Sequence, residues 1–361
     1  MRNSPYQDRP STSFWKSAVA SSNDLVPEGL YCRKWAISPS DRIATAGSCF
    51  AQHIGRHLKR NGFKVIDMEP PPVGLPQEEQ QRFGYATYSA RYGNIYTTRQ
   101  LLQLAQEAFG EAAPDDVVWR SGAGAFFDAL RPGVEPQGLE SHDEVLAHRR
   151  FHLAKVRQMF EAMNLMVFTM GLTEAWVHRP SGTVYPTAPG TIAGRYDPDV
   201  HGFMNFGFQD VVEDFLEFRR LVHSRQRSKC RFLLTVSPVP LTATASDRHV
   251  MVATVHSKSI LRAAAGELSS RYDDIDYFPS YEIVTNPWSK AMFYEENLRS
   301  VRPEAVAAVM DTFFRVHLGD AYVASSQMQP PVKSDTPRPR DFSEDVICEE
   351  AILEAFGGGG R

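Results

Sequence analysis

Residues 42–53 read Arg42-Ile43-Ala44-Thr45-Ala46-Gly47-Ser48-Cys49-Phe50-Ala51-Gln52-His53, and the reading of this stretch decides the fold. Residues 42–46 are mostly small, apolar or β-branched, the composition of a buried strand. From Phe50 to Asn61 the pattern changes, with Ile54 and Leu58 four apart as on one face of a helix. A strand that passes through Gly-Ser directly into a helix opens a β/α unit and leaves a hydroxyl at a helix N-terminus.

The same alternation continues outward. Apolar runs at 63–66, 165–170, 231–236 and 275–278 predict strands, and helical patterns fill 99–109, 142–163, 211–223, 250–271 and 303–314. Strands separated by helices of this length require crossover connections and a parallel sheet covered on both faces. The expected fold is therefore α/β, a three-layer α/β/α sandwich with a mainly parallel sheet. Residues 110–141 read as a loop-rich insertion. Residues 1–40 read as an extended lead-in, and 319–361 as a Pro- and Gly-bearing tail, partly disordered, with one short helix near 343–356. The main domain is expected over 41–318.

With 361 residues, 42% hydrophobic and 23% charged, the chain can bury a substantial core. Its 39 Lys and Arg against 43 Asp and Glu give a formal charge of −4, so no bulk attraction to nucleic acid or anionic membrane is expected. Cys32, Cys49, Cys230 and Cys348 show neither paired nor metal-ligand spacing. The N-terminal residues lack a signal-peptide core and no stretch is long enough to span a bilayer. These features predict a cytoplasmic protein. The Gly122-Ala123-Gly124 and 357–360 glycine runs follow no strand and precede no Walker-type lysine, so a nucleotide site is not indicated; no metal or other cofactor is expected.

In parallel sheets ligands meet the loops after the strands. Ser48 stands in the first of these loops, where free amides and the helix dipole favour an oxyanion; simple helix capping is the plain alternative. After the strand at 165–170 come Gly171, Thr173 and Glu174, and after that at 231–236 comes a proline-bearing loop ending in Asp247-Arg248-His249. His249 is a candidate for proton transfer.

These residues also carry a resemblance. The string Gly47-Ser48-Cys49-Phe50-Ala51 resembles the signature of the GSCFA domain family, within the broader SGNH/GDSL hydrolase group. Arg91 to Tyr96, Thr169 to Trp176, Ser237 to Pro240, Ser257-Lys258-Ser259 and Tyr277 to Glu282 are similar to further GSCFA segments in the same order, and together they cover about 42–316.

The resemblance implies an SGNH-type, flavodoxin-like sandwich with Ser48 as nucleophile. It implies oxyanion donors in the Ser48 amide, in Gly93 beside Asn94, and in the Gly171–Thr173 segment, where Thr173 and Glu174 replace the group's Asn-Asp pair. The group's Asp-x-x-His before the last helix is matched only by Asn297-Leu298-Arg299-Ser300, which contains neither residue. A serine without a base attacks slowly. Three substitutes follow: His249 oriented by Asp247, Glu174 or Glu282; His53 on the first helix; or Cys49 as the attacking group. Arg91 and Arg299 are candidates to clamp an anion, and Trp176 and Tyr185 to stack on a sugar, beside ordinary ion-pair and packing uses. The implied function is a serine-type ester hydrolase or acyltransferase for small, acetyl-like acyl groups, with carbohydrate as the acyl carrier suggested by family analogy. The rival expectation is an inactive SGNH-like fold that binds a glycan or a protein.

Overall fold

The computed structural model of the protein describes residues 4–21 and 26–319, together with Tyr322 and Leu353. The tail helix expected near 343–356 and most of the tail lie outside the described residues. In chain order the strands are β1 (Ile43–Gly47), β2 (Val118–Arg120), β3 (Phe126–Asp128), β4 (Leu165–Met170), β5 (Glu174–His178), β6 (Val184–Tyr185), β7 (His201–Asn205), β8 (Arg231–Val236) and β9 (Ile275–Tyr277). The α-helices are α1 (Phe50–Arg60), α2 (Gln77–Arg82), α3 (Thr98–Ala108), α4 (His142–Ala162), α5 (Phe208–Arg225), α6 (Val250–Arg271), α7 (Ser280–Thr285) and α8 (Pro303–Leu318).

The central sheet is parallel, in the order β1-β4-β8-β9. Its strands alternate with period two. Ala44, Ala46, Met166, Phe168, Met170, Phe232, Leu234 and Val236 pack into one core with residues of α3, α4, α5 and α6. Ile43, Leu165, Val167 and Leu233 face the other way, into a core built with α1, α7 and α8. Because both faces are buried under helices, the strands carry almost no polar alternation, and the architecture is a three-layer α/β/α sandwich.

Three differences from the sequence expectation have physical causes. The strand expected at 63–66 reduces to a single bridge between Val65 and Ile43, since the Lys64 carbonyl and the Ile66 amide pair only with Ile43. The residues after β4 leave the parallel sheet and form a second, antiparallel sheet, β6-β5-β7, in which Glu174 pairs with Asn205. The insertion at 110–141 contains the β2–β3 hairpin, anchored to α3 and α4 by buried charges. There Asp128 accepts from Arg131 Nε at 2.8 Å and Arg149 Nη1 at 2.9 Å, while Arg149 Nε donates to Glu107 at 2.7 Å. Glu69 joins His152 Nδ1 at 2.6 Å and accepts the Arg91 amide at 2.7 Å.

The described residues of the lead-in are irregular apart from short 3-10 and π segments, and its last part ties it down. Tyr31 and Ile37 are buried in the α1/α7/α8 core. The Tyr31 hydroxyl donates to Asp276 of β9 at 3.2 Å and meets His317 Nε2 of α8 at 3.1 Å.

Candidate active site at the Ser48 corner

β1 must end in glycine. Gly47 has φ +140°, and a Cβ there would lie 2.3 Å from the Thr169 carbonyl oxygen, so any side chain would collide with the backbone of β4. Backbone bonds then bring three distant stretches together. The Ser48 amide donates to Thr169 O at 3.0 Å, the Ile95 amide to Gly47 O at 2.9 Å, and the Gly171 amide to Tyr96 O at 2.9 Å. Gly93, with φ +70°, bends the chain into this junction.

Ser48 itself is 3% exposed, and its hydroxyl oxygen is buried with no hydrogen-bond partner among the described residues. Its carbonyl accepts from the Ala51 amide at 2.8 Å and the Tyr88 hydroxyl at 3.1 Å. Facing it is Gly171, where a Cβ would come within 3.0 Å of both Ser48 Cβ and Tyr96 Cδ1. The serine is thus walled by bare backbone on that side. α1 starts two residues later, directing its positive end toward the corner.

The Gly171 loop is held from outside by α6. Ser257 Oγ accepts the Thr173 amide at 2.9 Å, and Lys258 Nζ donates to Gly171 O at 2.5 Å. Ser257 is wholly buried and Lys258 is 2% exposed. On the opposite side Asn94 Oδ1 accepts from Gln52 Nε2 at 3.3 Å and from the Tyr88 hydroxyl, so Asn94 is joined to the carbonyl side of Ser48 through Tyr88.

Several expected pairings are not formed. The Ser48 amide, expected as an oxyanion donor, is committed to Thr169. The Thr173 hydroxyl donates to Asn205 Oδ1 at 2.6 Å because β7 lies alongside. His249 is exposed and caps α6, its Nδ1 accepting the Met251 amide at 3.1 Å, so it does not hydrogen-bond Ser48. His53 points from α1 toward the Phe50 ring, 5.7 Å between centroids, and burial pushes its pKa down to about 3. Glu282 is engaged by Arg262 and by the Tyr277 hydroxyl at 2.7 Å, and Asp247 is exposed on its loop. Cys49 is buried at the start of α1. Asn297 builds a turn, its Oδ1 accepting the amides of Arg299 and Ser300. Arg91 pairs with Glu135 at 2.8 Å with its guanidinium over the Tyr85 ring, a structural role.

Glu174, Trp176 and Tyr185 do meet, in a cleft of about 190 Å³ that also includes Leu172 and Thr244. Burial raises the Glu174 carboxyl above its usual range, opposed by a 2.8 Å hydrogen bond from Thr244 Oγ1 and by His256 nearby.

The sequence profile described as the GSCFA family matches residues 42–313. The chain belongs to the GSCFA family. No curated protein and no solved structure matches it. The GSCFA match spans every element that meets at Ser48, from β1 to α6, and begins after the lead-in. Three residues of this GSCFA chain escaped the sequence reading of roles: Lys258, Asn205 and His256. Lys258 had a signal, since Ser257-Lys258-Ser259 is one of the GSCFA-like segments. Its burial could not be read there, because one lysine in a 22-residue helix does not disturb the periodicity. Asn205 and His256 gain their positions only through the β5–β7 pairing and the face of α6.

Proposed function

We propose that this GSCFA protein is a serine-type ester hydrolase or acyltransferase, with Ser48 as nucleophile and small acyl esters as substrates. The observation that carries the reading is the buried Ser48 hydroxyl without a partner, set against the bare backbone of Gly171 where three family segments converge. Buried hydroxyls are ordinarily bonded, and an orphan is most economical where a ligand completes it. Ser48 Oγ attacks the ester carbonyl, forming the Oγ–C bond and then releasing the alcohol. Water or a second alcohol takes the acyl group in the next step.

The attacking proton needs an acceptor, and we assign it to Lys258 in place of His249. Lys258 reaches the far side of the same Gly171 peptide that packs on Ser48, and serine–lysine pairs are an established variant of the triad. With the Gly171 peptide between them, the Ser48 proton passes to the neutral Lys258 amine through a bridging water and returns by the same path to the leaving alkoxide. The first-turn amides of α1 and the Gly93–Asn94 backbone supply the positive field for the oxyanion. The acyl carrier is assigned to the Glu174 cleft, where the partly exposed Trp176 ring suits the apolar face of a sugar, while the buried Tyr185 packs on Trp119 beneath it.

The test is p-nitrophenyl acetate turnover and fluorophosphonate labelling, with Ser48→Ala as control. Wild type should label at one site and Ser48→Ala not at all; equal labelling removes Ser48 as nucleophile. Lys258→Met should lower kcat by roughly 10²–10⁴-fold while His249→Ala leaves it within about twofold; the reverse result assigns the proton to His249. A second reading, a binding module without turnover, draws on the absence, among the described residues, of any imidazole or carboxylate bonded to Ser48. It predicts no turnover and glycan or protein binding that survives Ser48→Ala.

A further inference from the structure

A second cleft, of about 380 Å³, opens on the outer side of α1. One wall is α1, with Gln52, Arg56, Lys59 and Arg60, and the other is α2 with the residues after it, including Gln80 and Tyr85. Among the described residues three cations and no carboxylate line it, in a chain whose formal charge is −4. Cations in the last turn of a helix complement its dipole, and Lys59 and Arg60 meet that description. Arg56 does not, since it lies a turn earlier and is half-buried, with Nε donating to the Gln52 carbonyl at 3.3 Å.

The surroundings agree on the sign of the local field. On the same helix His57 is held below its usual pKa by burial, then by Arg60 and Arg56, and Arg56 adds to the depression of His53. From the facing elements, Asp67 acts on Lys59, while Glu79 of α2 is drawn off by Arg82 at 3.4 Å. Ala86, on the cleft wall, has φ +56°. A left-handed alanine is strained, and such strain gathers at ligand sites.

We propose that this cleft binds a tetrahedral oxyanion, a phosphate or sulfate group carried by a small ligand. Arg56, Lys59 and Arg60 supply the charge, while Gln52, bonded to Asn94 and Tyr88, and Gln80, bonded to Leu75 O at 2.6 Å, brace the two walls. Gln52 sits at the inner end and bonds Asn94, so the cleft begins one helical turn from Ser48, and Arg56 lies roughly 12 Å along the axis from it at 1.5 Å per residue. The proposal does not depend on turnover at Ser48.

The experiment is isothermal titration of the full chain with pyrophosphate and, separately, with a sulfated disaccharide, at about 20 mM and about 300 mM salt. Wild type should bind at least one of them, more weakly at high salt, and the tighter of the two identifies the group. Lys59→Glu with Arg60→Glu, both exposed, should weaken binding roughly thirtyfold, and the milder Lys59→Gln with Arg60→Gln roughly fivefold. Arg227→Glu with Lys229→Glu, an exposed pair outside the cleft, should change nothing, and Ser48→Ala should bind as wild type. No binding of either ligand at low salt overturns the proposal. So does equal weakening by both charge-reversed pairs, which would mean nonspecific attraction. Loss of esterase activity in Ser48→Ala with binding intact separates this site from the catalytic reading.

Discussion

Two regions bury polar groups equally deeply and treat them in opposite ways. Beneath the β2–β3 hairpin, Asp128, Arg131, Arg149, Glu69 and His152 are all under 10% exposed, and every one has a charged partner. At the β1–α1 corner, Ser48 is as deeply buried, yet its hydroxyl has no partner among the described residues. A saturated network fixes geometry and has nothing left to offer a ligand, whereas an orphaned hydroxyl held by saturated backbone is rigid in position and free in chemistry. Thr45 and Thr169 also bury unpartnered hydroxyls on these strands, so what sets Ser48 apart is the orphaned hydroxyl together with the bare Gly171 backbone facing it.

The sharpest way to break the comparison is Asp128→Ala, which leaves Arg131 and Arg149 buried without their shared carboxylate. It should cost about 3–5 kcal/mol in urea denaturation; a cost under about 1 kcal/mol would show the network to be idle. Acid gives the next effect. Burial holds His152 at about 4, with Arg131 adding to the depression against the opposing pull of Glu69, and burial holds His317 at about 4. Both rings stay neutral in the folded state while the unfolded chain takes up protons below about 6.5. The unfolded state therefore binds more protons between about 6.5 and 4, and stability falls as pH falls through that window. Asp128, despite burial, is lowered to about 2 by Arg149 and Arg131, so its stabilisation is present above 3.8 and is lost from there toward 2. Thermal midpoints should drop steadily from about pH 7 to about pH 4.5, and His152→Gln should flatten the slope; an unchanged slope would remove the ring from the network.

Gly171→Ala tests the corner itself. The added methyl meets Ser48 and Tyr96 at 3.0 Å, which should cost about 1–3 kcal/mol and slow fluorophosphonate labelling roughly a hundredfold. Full labelling would mean that the glycine wall is incidental. The smallest expected effect is on the stability of Ser48→Ala. Removing a hydroxyl that has no partner should leave the urea midpoint within about 1 kcal/mol of wild type or raise it. A large loss would reveal a hidden partner and erase the contrast between the two regions.

The strands β4 and β8 and the helix α6 were legible to the residue, because long apolar runs and uninterrupted helical periodicity are strong signals. The strand-to-helix turn at Gly47-Ser48 was legible as well, from the change of period between the strand and the Ile54–Leu58 face, although spacing alone did not tell a capping serine from a reactive one. The β5–β7 sheet was not, because its strands are short and take their pairing from partners up to 31 residues away, as Glu174 from Asn205. Its omission moved Glu174 from a loop to a strand and hid Asn205 behind Thr173. Residues 63–66 have strand composition but only one neighbour at the sheet edge, so propensity there lost to pairing. The interplay of Ser48, Gly171 and Lys258 depends on which groups meet across the sheet top, a matter of distance that spacing along the chain does not encode.

The clasp of Tyr31, Asp276 and His317 joins residues 245 and 286 positions apart. During vectorial synthesis it cannot close until α8 has left the ribosome, although β1 and its serine emerged long before. β1 and α1 must therefore wait, partly uncovered, for the last helix to arrive. Contacts of this span close the α1/α7/α8 core last, and the loop-closure cost they carry makes that step slow.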